Sequence, residues 1–214
     1  MKNPMPHPFI AKEGWVHLAI VGAMVLLGSM FSVYLGALLF LLFVFVLQFF
    51  RDPTRVTIDD ASLVSAPADG RVIVVQEDED PYTGSACLKI SIFMNVFNVH
   101  SNRSPCAGTI VKRSYSPGRF FNAALDKASD HNERNALVMK TDQGHQITFV
   151  QVAGLIARRI LCYVGEGDSV SKGQRYGFIR FGSRVDVYLP RAARPKVSLG
   201  DKVVGGVTSI AEIA

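Results

Sequence analysis

The sequence predicts a mainly β domain carried behind an N-terminal hydrophobic α-helical hairpin. Three observations lead there: an uncharged apolar run at residues 14–50, period-two alternation from about residue 70 onward, and a repeated Gly-Asp turn near the C-terminus. Each fixes one part of the architecture.

Residues 14–50 contain no Asp, Glu, Lys or Arg and are apolar on every helical face, so the run cannot be an amphipathic surface helix. It is too long for a secretory signal and ends in aromatics and Arg51, so it is expected to be retained as a membrane anchor. As one helix its 37 residues would extend about 55 Å, against a hydrocarbon core of about 30 Å. The region from Gly28-Ser29 to Gly36 is the place to break it into two tightly fitting helices. Lys2 and Lys12 precede the run and Arg51 and Arg55 follow it, which puts both ends on the cytoplasmic side. The alternative is one long tilted span with a translocated C-terminal domain. Pro53, in "RDPTR", closes the segment, so the expected division is an anchor at residues 1–50 and a β domain at residues 51–214.

Beyond the boundary the apolar residues alternate. "GRVIVVQ", "CLKISIF", "GTIVKRSY", "ALVMKT", "HQITFVQV", "RRILCYV", "YGFIRFG" and "RVDVYLP" are short, rich in Val and Ile, and divided by Gly, Pro or Asp turns. The best helical candidate there is "FFNAALDKASD", residues 120–130. The pattern V-x-x-G-D-x-V-x-x-G runs from Val164 to Gly173 and again, 33 residues on, from Val197 to Gly206. A weaker P-x-x-G-x-[VI] occurs at Pro67 and at Pro105. Two such hairpins cannot each bury a core alone and are expected to pack together. The pattern resembles the hammerhead strands of biotinyl and lipoyl carriers, a β barrel-sandwich.

A net charge of +5 and a pI near 9.2 favour an anionic partner, either nucleic acid or a membrane surface. The three cysteines, Cys87, Cys106 and Cys162, form no CxxC pair, so neither a disulfide framework nor a cysteine-rich metal site is indicated.

Among groups able to do chemistry, His100 in "FMNVFNVHSNRSP" stands where an apolar strand meets a polar turn, a position suited to a general base or to a structural histidine. Asp69 in "SAPADGRV" reads as a hairpin-turn residue or as a carboxylate that orients an imidazole. Gly182-Ser183 opens a strand, as small pairs often do, and Gly28-Ser29 and Gly84-Ser85 repeat the dipeptide. Its chemical reading is a hydroxyl beside an uncrowded carbonyl.

Taken in order, "APADG" at residues 66–70, "NVHSNRSPCAG" at 98–108, "NERN" at 132–135 and "FGS" at 181–183 resemble the phosphatidylserine decarboxylase proenzymes, in their short bacterial membrane-anchored form. The resemblance runs from about residue 50 to the C-terminus. It implies that Ser183 attacks the Gly182 carbonyl and that the chain splits into a β chain, 1–182, and an α chain, 183–214. Residue 183 would become a pyruvoyl group, the cofactor, with Asp69, His100 and Ser183 acting as a triad. The pyruvoyl carbonyl would form a Schiff base with phosphatidylserine, releasing carbon dioxide and phosphatidylethanolamine, with no metal required. It further implies a homo-oligomer, a dimer or larger, at the cell membrane, with its catalytic domain on the cytoplasmic face. Glu133, Arg134 and Asn135 match a family motif that serves either substrate contact or structural pairing.

Two other classes compete. A carrier or adaptor domain is suggested by "LDKAS", but its Lys127 lies in the helix-like segment and no heptad run supports an adaptor. A nucleic-acid-binding β domain lacks an aromatic-basic stacking face, so no nucleic-acid partner is expected.

Overall fold

A computed structural model describes residues 8–118, 121, 123, 131–154, 159–180 and 182–213. The helical candidate at 120–130, with Lys127, falls almost wholly outside the described residues, as does Phe181. The chain forms two compact units, residues 5–54 and residues 55–214.

In the first unit the apolar run breaks at Ser32, whose extended backbone (φ −160°, ψ 134°) separates α1 (Trp15–Phe31) from α2 (Val33–Phe49). Small residues let the two helices approach. A side chain on Gly36 would overlap Ser29, and one on Gly28 would press on Leu35 and Leu39. The Ser29 hydroxyl turns back and donates to the Val25 carbonyl of its own helix at 2.8 Å. The open end is tied by Ala11 N–H to Phe50 O at 2.8 Å and Asp52 N–H to Phe9 O at 2.6 Å. The hairpin therefore returns to the side from which it starts. Each helix is about 26 Å long, nearer the hydrocarbon thickness than one continuous rod. With the preceding turn, Lys12–Phe31 is long and apolar enough to cross a membrane by length and composition, and Val33–Phe49 is a shorter apolar helix. Leu26, Met30, Phe31, Val33 and Tyr34 stay largely exposed, a surface that suits an apolar solvent.

The second unit is mainly β. An eight-stranded antiparallel sheet takes the order β13 (Lys202–Val203), β2 (Gly70–Asp80), β3 (Ser85–Met94), β11 (Ser183–Pro190), β7 (Gln146–Ala153), β6 (Arg134–Thr141), β5 (Gly108–Ser116), β9 (Ser169–Val170). Two three-stranded sheets complete it: β1 (Leu63–Ser65), β14 (Ser209–Glu212) and β12 (Arg194–Pro195), and β4 (Ser101–Arg103), β10 (Arg175–Ile179) and β8 (Ile160–Cys162). The eight alternating segments of the sequence are β2, β3, β5, β6, β7, β8, β10 and β11. The main core gathers Ile90, Ile92, Leu137, Met139, Phe149, Val187 and Leu189, with Tyr176 edge-on to Phe149 at 4.9 Å. Cys87, Ala136, Val150, Val152 and Tyr188 are buried in a separate cluster.

The sequence repeat is a structural repeat, bond for bond. Val72 donates to Asp201 O and accepts from Gly200 N–H, and Ile110 does the same with Asp168 O and Gly167 N–H. Each turn aspartate accepts from the backbone three residues earlier, Asp168 from Gly165 and Asp201 from Ser198, both at 2.8 Å. Gly167 and Gly200 have φ of +88° and +90°, which explains the glycine in each motif. The units clasp reciprocally through Ser65 N–H to Pro105 O and Arg103 N–H to Pro67 O. The barrel-sandwich expectation thus holds, and the Gly-Asp turns are what close it.

Candidate active site

Strand β11 lies between β3 and β7, and its first residue, Ser183, pairs with Met94 and Ala153. The Gly182-Ser183 peptide bond therefore leads directly into the middle of the largest sheet. Ser183 is fully buried, with Oγ 3.8 Å from the Met94 sulfur, a weak acceptor that leaves the hydroxyl's lone pairs unclaimed. Around it Ala68, Met94, Ala153, Ile179 and Val185 form a small apolar cluster. Gly182 sits at φ +62°, a backbone state that glycine adopts without strain.

His100 comes to this segment from the residue just before β4. Its carbonyl accepts from Ile179 N–H at 3.3 Å, which fixes the backbone, and the buried ring is oriented from both sides. Nδ1 lies 3.0 Å from the Asn98 carbonyl, and Nε2 accepts from Gly182 N–H at 3.3 Å. A carbonyl only accepts, so the proton belongs on Nδ1 and the Nε2 lone pair faces the Gly182 N–H, one residue before Ser183. Asn98 is itself held, because its side-chain oxygen takes Asn95 N–H at 2.9 Å in a tight turn.

Asp69 lies two residues before Arg71, whose partner Phe93 also pairs with Arg184, so Asp69, His100 and Ser183 share one end of the sheet. Its carboxylate accepts from Arg55 on Oδ2 and from Gly205 N–H on Oδ1, both at 2.8 Å.

Several groups here have no sequence signature. Gly154 comes so close to the Gly182 carbonyl that a side chain on it would overlap that oxygen. Alanine at position 154 is therefore expected to displace the carbonyl and slow any reaction at it by about 10- to 100-fold. A time course of chain cleavage on freshly synthesised protein would read this directly. A line of buried amides also ends at the serine. Arg113 donates to Asn135, Asn135 to Gln151, Gln151 to Asn102 at 2.8 Å, and Asn102 to the Met94 sulfur. Asn135 of the "NERN" motif thus belongs to internal support, and Glu133 accepts from the Tyr115 hydroxyl at 3.1 Å.

Behind Ser183, Arg184 and Asp186 are both 1 % exposed and paired at 2.7 Å. Burial, reinforced by the Asp186 charge, pushes the neighbouring Tyr188 phenol well above its ordinary range. Asp186→Ala would leave a buried guanidinium without its carboxylate, and a loss of about 3–5 kcal/mol is expected, measured as a lower urea midpoint. Cys87 and Cys106 are free thiols pushed up to about 11 chiefly by burial, which removes both as competing nucleophiles.

The family model described as phosphatidylserine decarboxylase matches residues 42–211. The chain is 58 % identical to a protein of Aromatoleum aromaticum over 214 residues, all of both chains. It is 56 % identical over 209 residues to proteins of Burkholderia mallei, covering 97 % of each chain, and Paraburkholderia xenovorans, covering 97 % of this chain and 99 % of that one. All three relatives carry the name phosphatidylserine decarboxylase proenzyme. Matched along nearly its whole length, the chain belongs to the phosphatidylserine decarboxylase family.

Proposed function

We propose that the protein is a proenzyme that cuts itself between Gly182 and Ser183 and then decarboxylates phosphatidylserine to phosphatidylethanolamine. The observation that carries this reading is the buried His100 ring, whose unprotonated Nε2 meets the Gly182 N–H one residue before Ser183, with Nδ1 held by the Asn98 carbonyl. His100 takes the Ser183 hydroxyl proton as Oγ attacks the Gly182 carbonyl, and the amide becomes an ester with a free amine on residue 183. Loss of the Ser183 α-proton then breaks the Cβ–Oγ bond. Gly182 departs as a carboxylate, and the dehydroalanine left at 183 takes up water and releases ammonia to give a ketone. Asp69, whose carboxylate is held by Arg55 and the Gly205 N–H at the same end of the sheet, is the third member of the triad, the acid that orients the imidazole. Products of the cut are residues 1–182 and 183–214.

The surroundings suit the resulting pyruvoyl group, because the former Cβ becomes a methyl facing Met94, Ala153, Ile179 and Val185. When formed, that group supplies an electrophilic ketone for the substrate amine and a sink for the electrons released with carbon dioxide. The chain's own contribution is a dry pocket, since apolar walls disfavour a carboxylate relative to neutral carbon dioxide. The apolar hairpin, residues 1–50, holds the catalytic unit at the bilayer, on the cytoplasmic face, where its substrate resides.

An intact-mass spectrum of the purified protein tests the reading. Two chains matching residues 1–182 and 183–214 are expected, the smaller one lighter than its serine-terminated mass by the elements of ammonia. A single uncut chain under conditions that permit maturation would sink it.

A further inference from the structure

Strands β8 and β10 pair with Ile179 opposite Ile160, and a hydrogen bond from Arg180 N–H to Arg159 O at 3.4 Å carries the register one step further. Arg159 and Arg180 are therefore directly opposed, and residues directly opposed in an antiparallel pair project to the same face. Like charges in that relation oppose folding. The other arginine pairs of this unit show how the fold ordinarily handles such a charge: Arg55 meets Asp69, Arg184 meets Asp186, and Arg191 meets Glu77. Among the described residues neither Arg159 nor Arg180 has an acidic partner, and Arg180 Nε is buried with no hydrogen-bond acceptor. An arrangement that folding disfavours, with an unfilled donor, is what an anion site looks like before its anion arrives.

Its place in the fold says which anion. Arg180 stands three residues before Ser183, and the neighbouring Ile179 holds the His100 carbonyl. We infer that Arg159 and Arg180 form a phosphate-binding pair that receives the phosphodiester of the lipid headgroup, an assignment that rests on the function proposed above. In phosphatidylserine the phosphodiester is joined to the amine-bearing carbon through one methylene and one ester oxygen, so a phosphate site must lie within a few ångströms of residue 183. Two guanidinium forks match two non-bridging oxygens. The carboxylate is a poor occupant: it leaves as carbon dioxide, and an ion pair would stabilise it in the ground state and oppose the reaction. The apolar cluster at Ser183 favours loss of the carboxylate as neutral carbon dioxide, and the arginines suit the group that stays.

The test uses the full chain, matured, in detergent micelles containing phosphatidylserine. Self-cleavage involves no phosphate and is expected to run to completion in R159Q, R180Q and the double variant, which shows that they fold. The double variant should show a KM raised at least tenfold, with R180K between it and the parent, because a lysine restores charge but not the fork. A second arm titrates inorganic phosphate at constant ionic strength and follows its ³¹P linewidth. Millimolar binding to the parent that is lost in the double variant supports the pair as a phosphate site. An unchanged KM overturns the headgroup assignment, and if phosphate still binds in the micromolar range the pair belongs to free phosphate instead. A parent chain that releases no carbon dioxide overturns the reaction itself, and the linewidth arm then judges the arginine pair alone.

Discussion

Ser183→Ala is expected to yield a single 214-residue chain that never divides and never forms a ketone, a loss of cleavage that is complete on any practical time scale. The alcohol is the sole nucleophile the proposed reaction uses, and two of the three cysteines, Cys87 and Cys106, are poor substitutes because burial pushes their thiols up to about 11. Stability should barely move. Ser183 is fully buried and its one described side-chain contact is a long bond to the Met94 sulfur, so removing the oxygen leaves no strong acceptor unsatisfied. The β11 ladder to Met94 and Ala153 uses backbone groups, which alanine retains. Denaturing electrophoresis after a day, together with a thermal melt within a few degrees of the parent, checks both halves. A variant that still divides would remove Ser183 as nucleophile.

Replacement of His100 should have the second largest effect, slowing cleavage by about 10²- to 10⁴-fold, the usual reach of a positioned base. Alanine is an ambiguous probe, because emptying the space of a fully buried ring creates a cavity next to the scissile bond. His100→Gln is cleaner. Its side-chain oxygen can accept the Gly182 N–H that Nε2 accepts in the parent, so the loop keeps its tie while the basic nitrogen is gone. Cleavage by the glutamine variant at the parental rate would show that His100 only holds Gly182 in place.

Much of this was legible in the chain. The break between the two apolar helices follows from length against bilayer thickness, and it fell at Ser32, inside the expected interval. The repeat predicted paired hairpins, and its glycines carry the positive φ values that make them necessary. The site was legible only as far as side chains define it. The group that sets the His100 tautomer is a main-chain carbonyl, and every residue has one, so Asn98 carries no sequence signal for it. Gly154 is one of 18 glycines and is marked only by what passes over it. "RVD" alternates as an exposed polar face would, yet Arg184 and Asp186 are buried because that face of the sheet is covered too. The opposition of Arg159 and Arg180 depends on register, which spacing alone does not fix.

The position of β11 has a consequence for the life of the protein. Residues 183–214 supply β11 between β3 and β7, β13 at the edge of the same sheet, and both β12 and β14, of which β14 pairs with β1. Under the proposed cut they stay woven into two sheets after the covalent link has gone. An uncut chain such as the alanine variant refolds as one molecule, at a rate indifferent to dilution. The mature form, once unfolded, must find its 32-residue complement by diffusion, so its recovery would fall with dilution. Maturation would thus exchange a reversible equilibrium for persistence governed by how slowly the strands unzip.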